Sequence, residues 1–534
     1  MRGRGTAVRR ARVVLVGAVL VVVLTYGGLT VAELAGAPAS AKDCAVHALP
    51  TPVAPDLARP VAEYPGELAQ RGGTLNDASC LNRTPVYGVV RPRSAADVRE
   101  ALAFARAEGL SVSVAGTRHS MGGQAFFPRA LVLDMRGLDR VRVDPAARTA
   151  TVQAGATWHE VLEAVHPHGL SVATMPSIDV LSVGGTLSID AHGLDFRAGS
   201  LSATVRSLEV MLADGTVHTL DRTHEPELFR AVLGGYGLFG VVLEAELDLV
   251  DSEMYELTQR TVAYDRFPDL FRDELWPDDR YRLMYAHLST SPDSLLREAV
   301  VYTYETTAAG EPVPPLREPE SMAFGRFVLN LARTGEVGQR VKWAAQRHLL
   351  PRVRSCRRSR NEALRDAEAC LVGRNQAMYN SLGLLRNRMD RHTDILQEYF
   401  LPHDRLVPFL DDTRAALREH DAVLLNASIR SVPGDDVMLG YAAEERFSLV
   451  LYLSQEVTPR ANRDMAGLTR ALVASALEHG GTFYLPYQQH YTRADLERAY
   501  PELDAFFALK RRYDPGLLLM NSLYSRYAAP SDAS

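Results

Sequence analysis

Cysteine is scarce: four residues in 534 exclude a disulfide-built scaffold, and no CxxC pair is present to hold zinc. A net basic charge is missing too. The 59 basic and 65 acidic residues give −6, and with five arginines in the first twelve positions the remainder stands at −11. A nucleic-acid binder spreads a basic footprint over its domain, so that class is excluded. The chain has no GK[ST] of a P-loop, no HExxH and no GxSxG, which removes phosphate-loop NTPases, helix-borne zinc hydrolases and α/β-hydrolases. No internal repeat or low-complexity tract is present, and no metal site is expected. What remains is globular in composition, 46% hydrophobic and 23% charged. The length allows roughly two to four domains.

The first segment with a clear physical reading is N-terminal. Arg2, Arg4, Arg9, Arg10 and Arg12 (tail 1–12) precede Val13–Glu33, uncharged from Val13 to Ala32. As a helix those residues span about 30 Å, a bilayer core. Segment 13–33 therefore reads as a transmembrane helix, with the arginines cytoplasmic and the rest of the chain outside the cell membrane. The rival is secretion after signal cleavage at Ala35-Gly36-Ala37 or Ala39-Ser40-Ala41. The apolar run exceeds the usual h-region of about 7–15 residues, which favours the anchor. Outside the cytoplasm cysteines pair, with Cys44–Cys80 and Cys356–Cys370 the preferred pairs and other connectivities open.

Segment 34–83 reads as a tether and lead-in. From 84 to 252 the signals are dense: a strand Val86–Val90, a helix opened by Ser94-Ala95-Ala96-Asp97 and closed by Gly109, and a strand Leu110–Val114. A short strand at Leu131–Asp134 follows, then Val141–Val143 and Thr149–Gln153 flanking Asp144-Pro145 as a hairpin, and a helix Thr157–Val165. Leu208–Leu212 pairs with Val217–Leu220 across Asp214-Gly215, and helix Glu225–Leu233 feeds strand Gly240–Val250. The class is α+β, not a regular βαβ repeat. Residues 253–500 hold strands Glu298–Tyr304 and Phe447–Leu453 and a helix Pro402–Glu419, and 501–534 closes the chain.

Gly235-Tyr236-Gly237-Leu238-Phe239-Gly240 is a GxGxxG in the wrong setting. A Rossmann fingerprint follows a strand and opens a helix, and here the order is reversed, so a nicotinamide site is rejected. Ala115–Gly123 is better placed. It follows a strand, its small residues let N–H groups approach a phosphate, and Arg118 adds charge. Ser182–Ser188, running to Ala191-His192-Gly193, offers a second such loop. Spacing alone leaves two tight turns equally open.

Four separated runs appear in order: Pro92–Val98, Gly116–Ser120, Ser182–Gly193 and Leu233–Val242. Together they resemble the PCMH-type FAD domain of the vanillyl-alcohol-oxidase family. The resemblance implies a two-subdomain FAD-binding domain at 84–252, an α+β substrate (cap) domain at 253–500 and a C-terminal segment 501–534 returning to the FAD domain. Gly116-Thr117-Arg118-His119-Ser120 is most similar to the alditol and aldonolactone oxidase branch (D-arabinono-1,4-lactone oxidase-like), where the loop histidine bonds covalently to the flavin. The resemblance thus implies FAD, held by Gly116, Thr117, Arg118, His119 and Ser120. It also assigns Ser182, Gly184, Gly185, Ser188, His192 and Gly193 to the pyrophosphate and flavin side, and Val241 and Val242 to backbone contacts.

In that branch a cap strand carries Ser-Glu-Ile-Arg, and Ala427-Ser428-Ile429-Arg430 stands there, keeping Arg430. The branch's Pro-His-Trp-Gly-Lys run corresponds to Pro486-Tyr487-Gln488-Gln489-His490, which sets His490 where the lysine was. His490 is the expected base, since imidazole titrates near pH ~6.5. The alternative is a structural histidine among Tyr487 and Tyr491. Arg430 is expected to bind substrate oxygen or stabilise charge on reduced flavin, and Glu398 is the second acid–base candidate. The expected substrate is a sugar, polyol or lactone, oxidised at a hydroxyl-bearing carbon, with oxygen or another acceptor taking the electrons. The alternatives are a lipid-linked or sterol-like substrate and a silent flavin- or ligand-binding module on a membrane stalk. Nine cations between Arg340 and Arg365 read as a solvated face or as a lipid-surface contact.

Overall fold

The computed structural model describes residues 60–307, 313–317, 329–333, 335–349, 371–379 and 392–528. The anchor expected at 13–33 lies outside them; among the described residues no helix is long and apolar enough to cross a membrane. Cys80 is disulfide-bonded, and the other three cysteines lie outside the described residues.

Three sheets organise the fold. The first runs in the order Gln70–Arg71, Gly88–Val90, Leu131–Asp134, Val112–Ala115, its last three strands parallel. Helix Ala95–Glu108 covers it. Ser94 and Asp97 close a capping box at its start and Gly109 ends it at φ 68°, a conformation that glycine adopts without strain. Val98, Ala101, Leu102 and Ala105 are its buried stripe, each large apolar side chain contributing roughly 1.5–3 kcal/mol. The strand Val112–Ala115 is completed from the far end of the chain: Val112 N–H donates to Leu518 O at 2.6 Å and Met520 N–H returns to Val112 O at 2.8 Å.

The second sheet orders Val217–Asp221, Val205–Met211, Val241–Asp251, Thr149–Gln153 and Val141–Asp144, with Leu170–Val172 against the end of Val241–Asp251. Both hairpins read from the sequence are present here, antiparallel and in register. The third sheet has eight strands, all antiparallel: Leu371–Gly373, Met254–Ala263, Glu298–Thr306, Tyr281–Leu288, Val423–Val432, Arg446–Glu456, His392–Leu401 and Thr482–Phe483. Helices Leu406–Glu419 and Pro459–Glu478 lie on one face. Alternation along His392–Leu401 shows which. Gln397 donates to Thr469 Oγ1 at 2.9 Å and the Tyr399 ring lies 5.5 Å from Phe409, both on the helix side. Glu398, between them, turns to the opposite face and meets His192.

Residues 60–83 are not the lead-in expected within 34–83. Gln70–Arg71 is an edge strand of the first sheet, and the Asn76–Asn82 turn grips the Ala115–Gly123 loop. Gly123 N–H donates to Asp77 Oδ2 at 2.9 Å, Asn82 Nδ2 to Met121 O at 2.7 Å and Ala78 N–H to Arg118 O at 3.0 Å. Asp, Asn and Ser side chains bond nearby backbone in turns, and such chemistry looks like a linker in sequence.

Candidate active site

Two loops meet at the seam between the first two sheets. Gly116–Ser120 leaves strand Val112–Ala115 with all five residues half-buried and Arg118 held at φ 59°. A Cβ on Gly116 would stand 1.9 Å from Ser182 Oγ, so only glycine permits this approach. Ser182 N–H donates to Thr117 Oγ1 at 3.2 Å and Thr117 N–H to Ser182 Oγ at 3.4 Å, which locks the loops together. The second element is not a plain loop: Val183–Leu187 is a short helix with Ser182 at its N-cap. Thr186 explains the difference. It is buried, accepts from Trp158 Nε1 at 2.9 Å and ties itself to Val183 O at 2.8 Å. Gly184 packs so closely on Ala154 that a Cβ would sit 2.7 Å from its neighbour, whereas Gly185 is exposed. Ser188 Oγ donates to Gly184 O at 2.7 Å, and a Cβ on Gly193 would meet Met175 O at 2.4 Å.

The Leu233–Val242 turn closes on these elements. Gly234 N–H reaches Leu187 O at 2.9 Å and Tyr236 N–H reaches Ser188 O at 2.8 Å. Strand Thr149–Gln153 ends opposite Glu244, so Val241 and Val242 have a strand partner on one side only, toward Val210 and Met211. His119 Nδ1 lies 3.2 Å from Thr117 Oγ1. Burial, reinforced by Arg118, pushes its imidazole down to about 4, so it is neutral at pH 7. Glycines at close approach, an exposed Gly185 and a neutral histidine fit a dinucleotide whose backbone must be cradled.

Opposite them stands the inner face of the eight-stranded sheet. Register gives its rows: Glu398 beside Val450 and Ser428, with His287 next, and one step on Phe400 beside Ser448 and Arg430. His192, from the FAD-side chain, inserts between domains with Nε2 2.7 Å from Glu398 Oε1. Ser448 Oγ donates to the same oxygen, and Tyr487 OH to Oε2 at 3.4 Å. Burial would raise the Glu398 carboxyl, but His192, Arg430 and Ser448 together hold it below the ordinary carboxylate range. The contact with Glu398 takes up Nε2 and leaves Nδ1 as the other ring nitrogen of His192. Nδ1 is buried and, among the described residues, has no hydrogen-bond partner; the same holds for Arg430 Nε. Phe400, Tyr441 and Tyr484 rings wall His192 at 5.7, 6.0 and 6.1 Å.

The structure thus brings Glu398, Arg430 and His192 together and sets His490 apart. Segment Leu485–Gln489 is stitched to the His119 loop: Met121 N–H donates to Pro486 O at 2.8 Å, and Gln489 Nε2 to Gly122 O at 3.2 Å. His490 follows this seam, but the charges that act on it are Arg526 and Arg470, not Glu398 or Arg430. Burial and those two arginines push it down to about 4, and Nε2 has no partner among the described residues. In its place Tyr487 reaches the cluster, its phenol raised well above the usual range by burial and Glu398. Tyr487 entered the sequence reading only as a neighbour of His490, and Ser448 did not enter it, because a serine in the apolar run Phe447–Leu453 carries no signal before strands pair. Of the basic run, three members are described. Arg340 pairs with Asp293 at 2.9 Å, Arg347 with Glu298 at 2.6 Å, and Lys342 is buried, so these do not form a free cationic face.

Residues 86–221 match the model of an FAD binding domain. The chain has an FAD-binding domain, and FAD is its cofactor. This is the PCMH-type domain expected from the sequence, and three of the four runs lie inside the matched residues. Over 159 residues the chain is 35% identical to decaprenylphosphoryl-β-D-ribose oxidase of Mycolicibacterium smegmatis, 29% of this chain and 35% of that protein. It is 23% identical to mouse L-gulonolactone oxidase over 443 residues, 81% and 93% of the two chains. Cytokinin dehydrogenase 2 of Arabidopsis thaliana is 36% identical over 166 residues, 30% and 33%. The matches to the ribose oxidase and the cytokinin dehydrogenase span about a third of those proteins. The lactone oxidase alignment, at 443 residues, is long enough to extend into the residues of the eight-stranded sheet.

Proposed function

We propose that this protein is an FAD-dependent oxidoreductase that oxidises a hydroxyl-bearing carbon of a sugar, polyol or aldonolactone. The observation that carries it is the His192–Glu398 pair facing the FAD-binding loops, with Arg430 beside it. Bound FAD supplies the hydride acceptor, and oxygen or another acceptor reoxidises it. His192 Nδ1 takes the hydroxyl proton as the C–H hydride leaves. Glu398 orients the ring through Nε2 and stabilises the imidazolium that results, the division of labour of a base and its orienting acid. Arg430 holds the substrate oxygen as it becomes a carbonyl. This assignment moves the base from His490 to His192.

The alignment to a lactone oxidase over 81% of this chain supports a CH–OH substrate over a CH–N one, while the cytokinin dehydrogenase match covers 30% of it. The neutral His119 on its half-buried loop supports a covalent flavin link. The uncharged 13–32 run and the disulfide at Cys80 support a membrane-anchored domain outside the cytoplasm. The test is anaerobic: the yellow holoprotein is mixed with sugars, polyols, lactones and amines, and loss of flavin absorbance is followed. Bleaching by an amine alone overturns the substrate class.

A further inference from the structure

Lysine is rare here. Three lysines, Lys42, Lys342 and Lys510, stand among 59 basic residues. Lys510 is buried and paired with Asp514. Lys342 is also buried, at 6% exposure, yet has no carboxylate partner among the described residues. It lies on helix Glu336–Ala344, which packs on the inner face of the eight-stranded sheet through Trp343, against Val300 and Tyr302. Its Nζ stands 3.4 Å from Thr290 Oγ1 and 3.4 Å from Asn426 Oδ1. Both exceed the roughly 2.7–2.9 Å of a charge-assisted bond. The acids nearby are taken: Asp293 and Glu336 by Arg340 at 2.9 and 3.1 Å, Glu298 by Arg347 at 2.6 Å and by Trp343 Nε1 at 2.9 Å. Burial pushes the ammonium down to about 7, the cost of an uncompensated charge in this setting.

Its position in the sheet connects it to the site. Asn426, Ser428 and Arg430 alternate along one strand and share the inner face, Asn426 Nδ2 reaching Ser428 Oγ at 3.3 Å. At about 3.4 Å per residue Asn426 lies about 14 Å from Arg430. A polar file therefore leads from the reacting end to Lys342.

We propose that Lys342 anchors an oxyanion, a carboxylate or phosphate, at the substrate end remote from the oxidised carbon, an assignment that rests on the oxidoreductase reading above. Thr290 and Asn426 flank the anion, and the anion supplies the counter-charge that the fold omits. Lysine suits this place because its compact point charge needs no planar partner.

The test uses the holoprotein and two kinds of probe. Inorganic phosphate and sulfate are titrated by calorimetry, and anaerobic flavin reduction is compared for matched pairs: an aldose with its uronic acid, and a sugar with its phosphate. The expected result is a KM about 30-fold or more lower for the anionic member, the worth of a buried charge pair, and loss of that ratio in Lys342→Met. Phosphate binding disappears in the same variant. Vesicles containing phosphatidic acid, compared with inorganic phosphate, tell a lipid headgroup from a soluble phosphate. If Lys342→Met does not fold, Lys342→Gln and Asn426→Ala are read in the same way. Equal KM for charged and neutral members, or a ratio unchanged in the variants, overturns the proposal. If no sugar bleaches the flavin while phosphate binds through Lys342, the anion site stands and the sugar reading fails. If neutral sugars bleach it without anionic preference, the reverse holds.

Discussion

Glu398→Gln is the substitution on which the site stands or falls. Glutamine keeps the volume and still offers an oxygen to His192 Nε2–H, which lies 2.7 Å from the present carboxylate, so FAD remains bound. What disappears is the negative charge opposite the imidazolium formed when His192 takes a proton. At about 4 Å between charge centres and an effective dielectric near 20, that attraction is about 4 kcal/mol. A loss of that size corresponds to about a thousand-fold in rate. The retained hydrogen bond returns part of it, so the expected fall in flavin reduction is roughly 100- to 1,000-fold. Stopped-flow absorbance under nitrogen measures it, with the visible spectrum of the unreacted protein as control for bound flavin. A variant that reduces its flavin at the parental rate would falsify the His192–Glu398 assignment. One that emerges colourless would recast Glu398 as a structural residue. Stability carries a second signature. The Glu398 carboxyl is depressed in the folded state, so its stabilisation is present above the unfolded value near ~4.3 and lost as pH falls through the lower folded one. The difference in unfolding free energy between the parent and Glu398→Gln is therefore constant above about pH 6 and shrinks in acid.

His490→Ala slows flavin reduction less than ten-fold, about the effect of a residue that only packs, because Arg470 and Arg526 are its charged neighbours; stopped-flow rates compared with Glu398→Gln decide it. His119→Ala abolishes flavin fluorescence on acid-precipitated polypeptide, and fluorescence found only in the supernatant of the parent protein refutes the covalent link. Gly122→Ala lowers the melting temperature by several degrees, because its Cβ would stand 2.1 Å from Tyr487 O, a backbone atom; overpacking of that kind costs about 1–3 kcal/mol. His119 and His490 are both held neutral, with folded values about 4 against ~6.5 unfolded. Their contribution is present above pH ~6.5 and lost as pH falls toward 4, so urea midpoints of the parent decline across that window and those of His490→Gln decline less.

The cofactor half was legible because its signals are local. Ser94 with Asp97 forms the capping box that its spacing suggests, and Asp144-Pro145 and Asp214-Gly215 turn the hairpins. Val183–Leu187 escaped because a five-residue helix rich in glycine has no propensity of its own. It exists through the Trp158–Thr186 contact, 28 positions apart. The cap sheet hid its chemistry for another reason. Strand His392–Leu401 is covered on both faces and mixes polar with apolar residues without alternation, so the direction of Glu398 becomes visible only once Tyr399 is seen among the helices. Lys342 was one cation among nine in a basic stretch, and which of them turns inward depends on what the helix packs against. Position 490 was placed by resemblance alone, and the one-residue geometry of the Pro486–His490 run delivers Tyr487 to the cluster instead.

The pairing of Val112 with Leu518 and Met520 has a consequence in time. Some four hundred residues separate these partners, and Ser113 Oγ adds a bond to Met520 O at 2.7 Å. On the ribosome, strand Val112–Ala115 emerges early and waits with one edge unsatisfied until the segment near residue 520 is made. The loop that carries His119 hangs directly from that strand. The seating of that loop is therefore ordered after synthesis of the segment near residue 520, and a nascent or interrupted chain offers an exposed strand edge beside it.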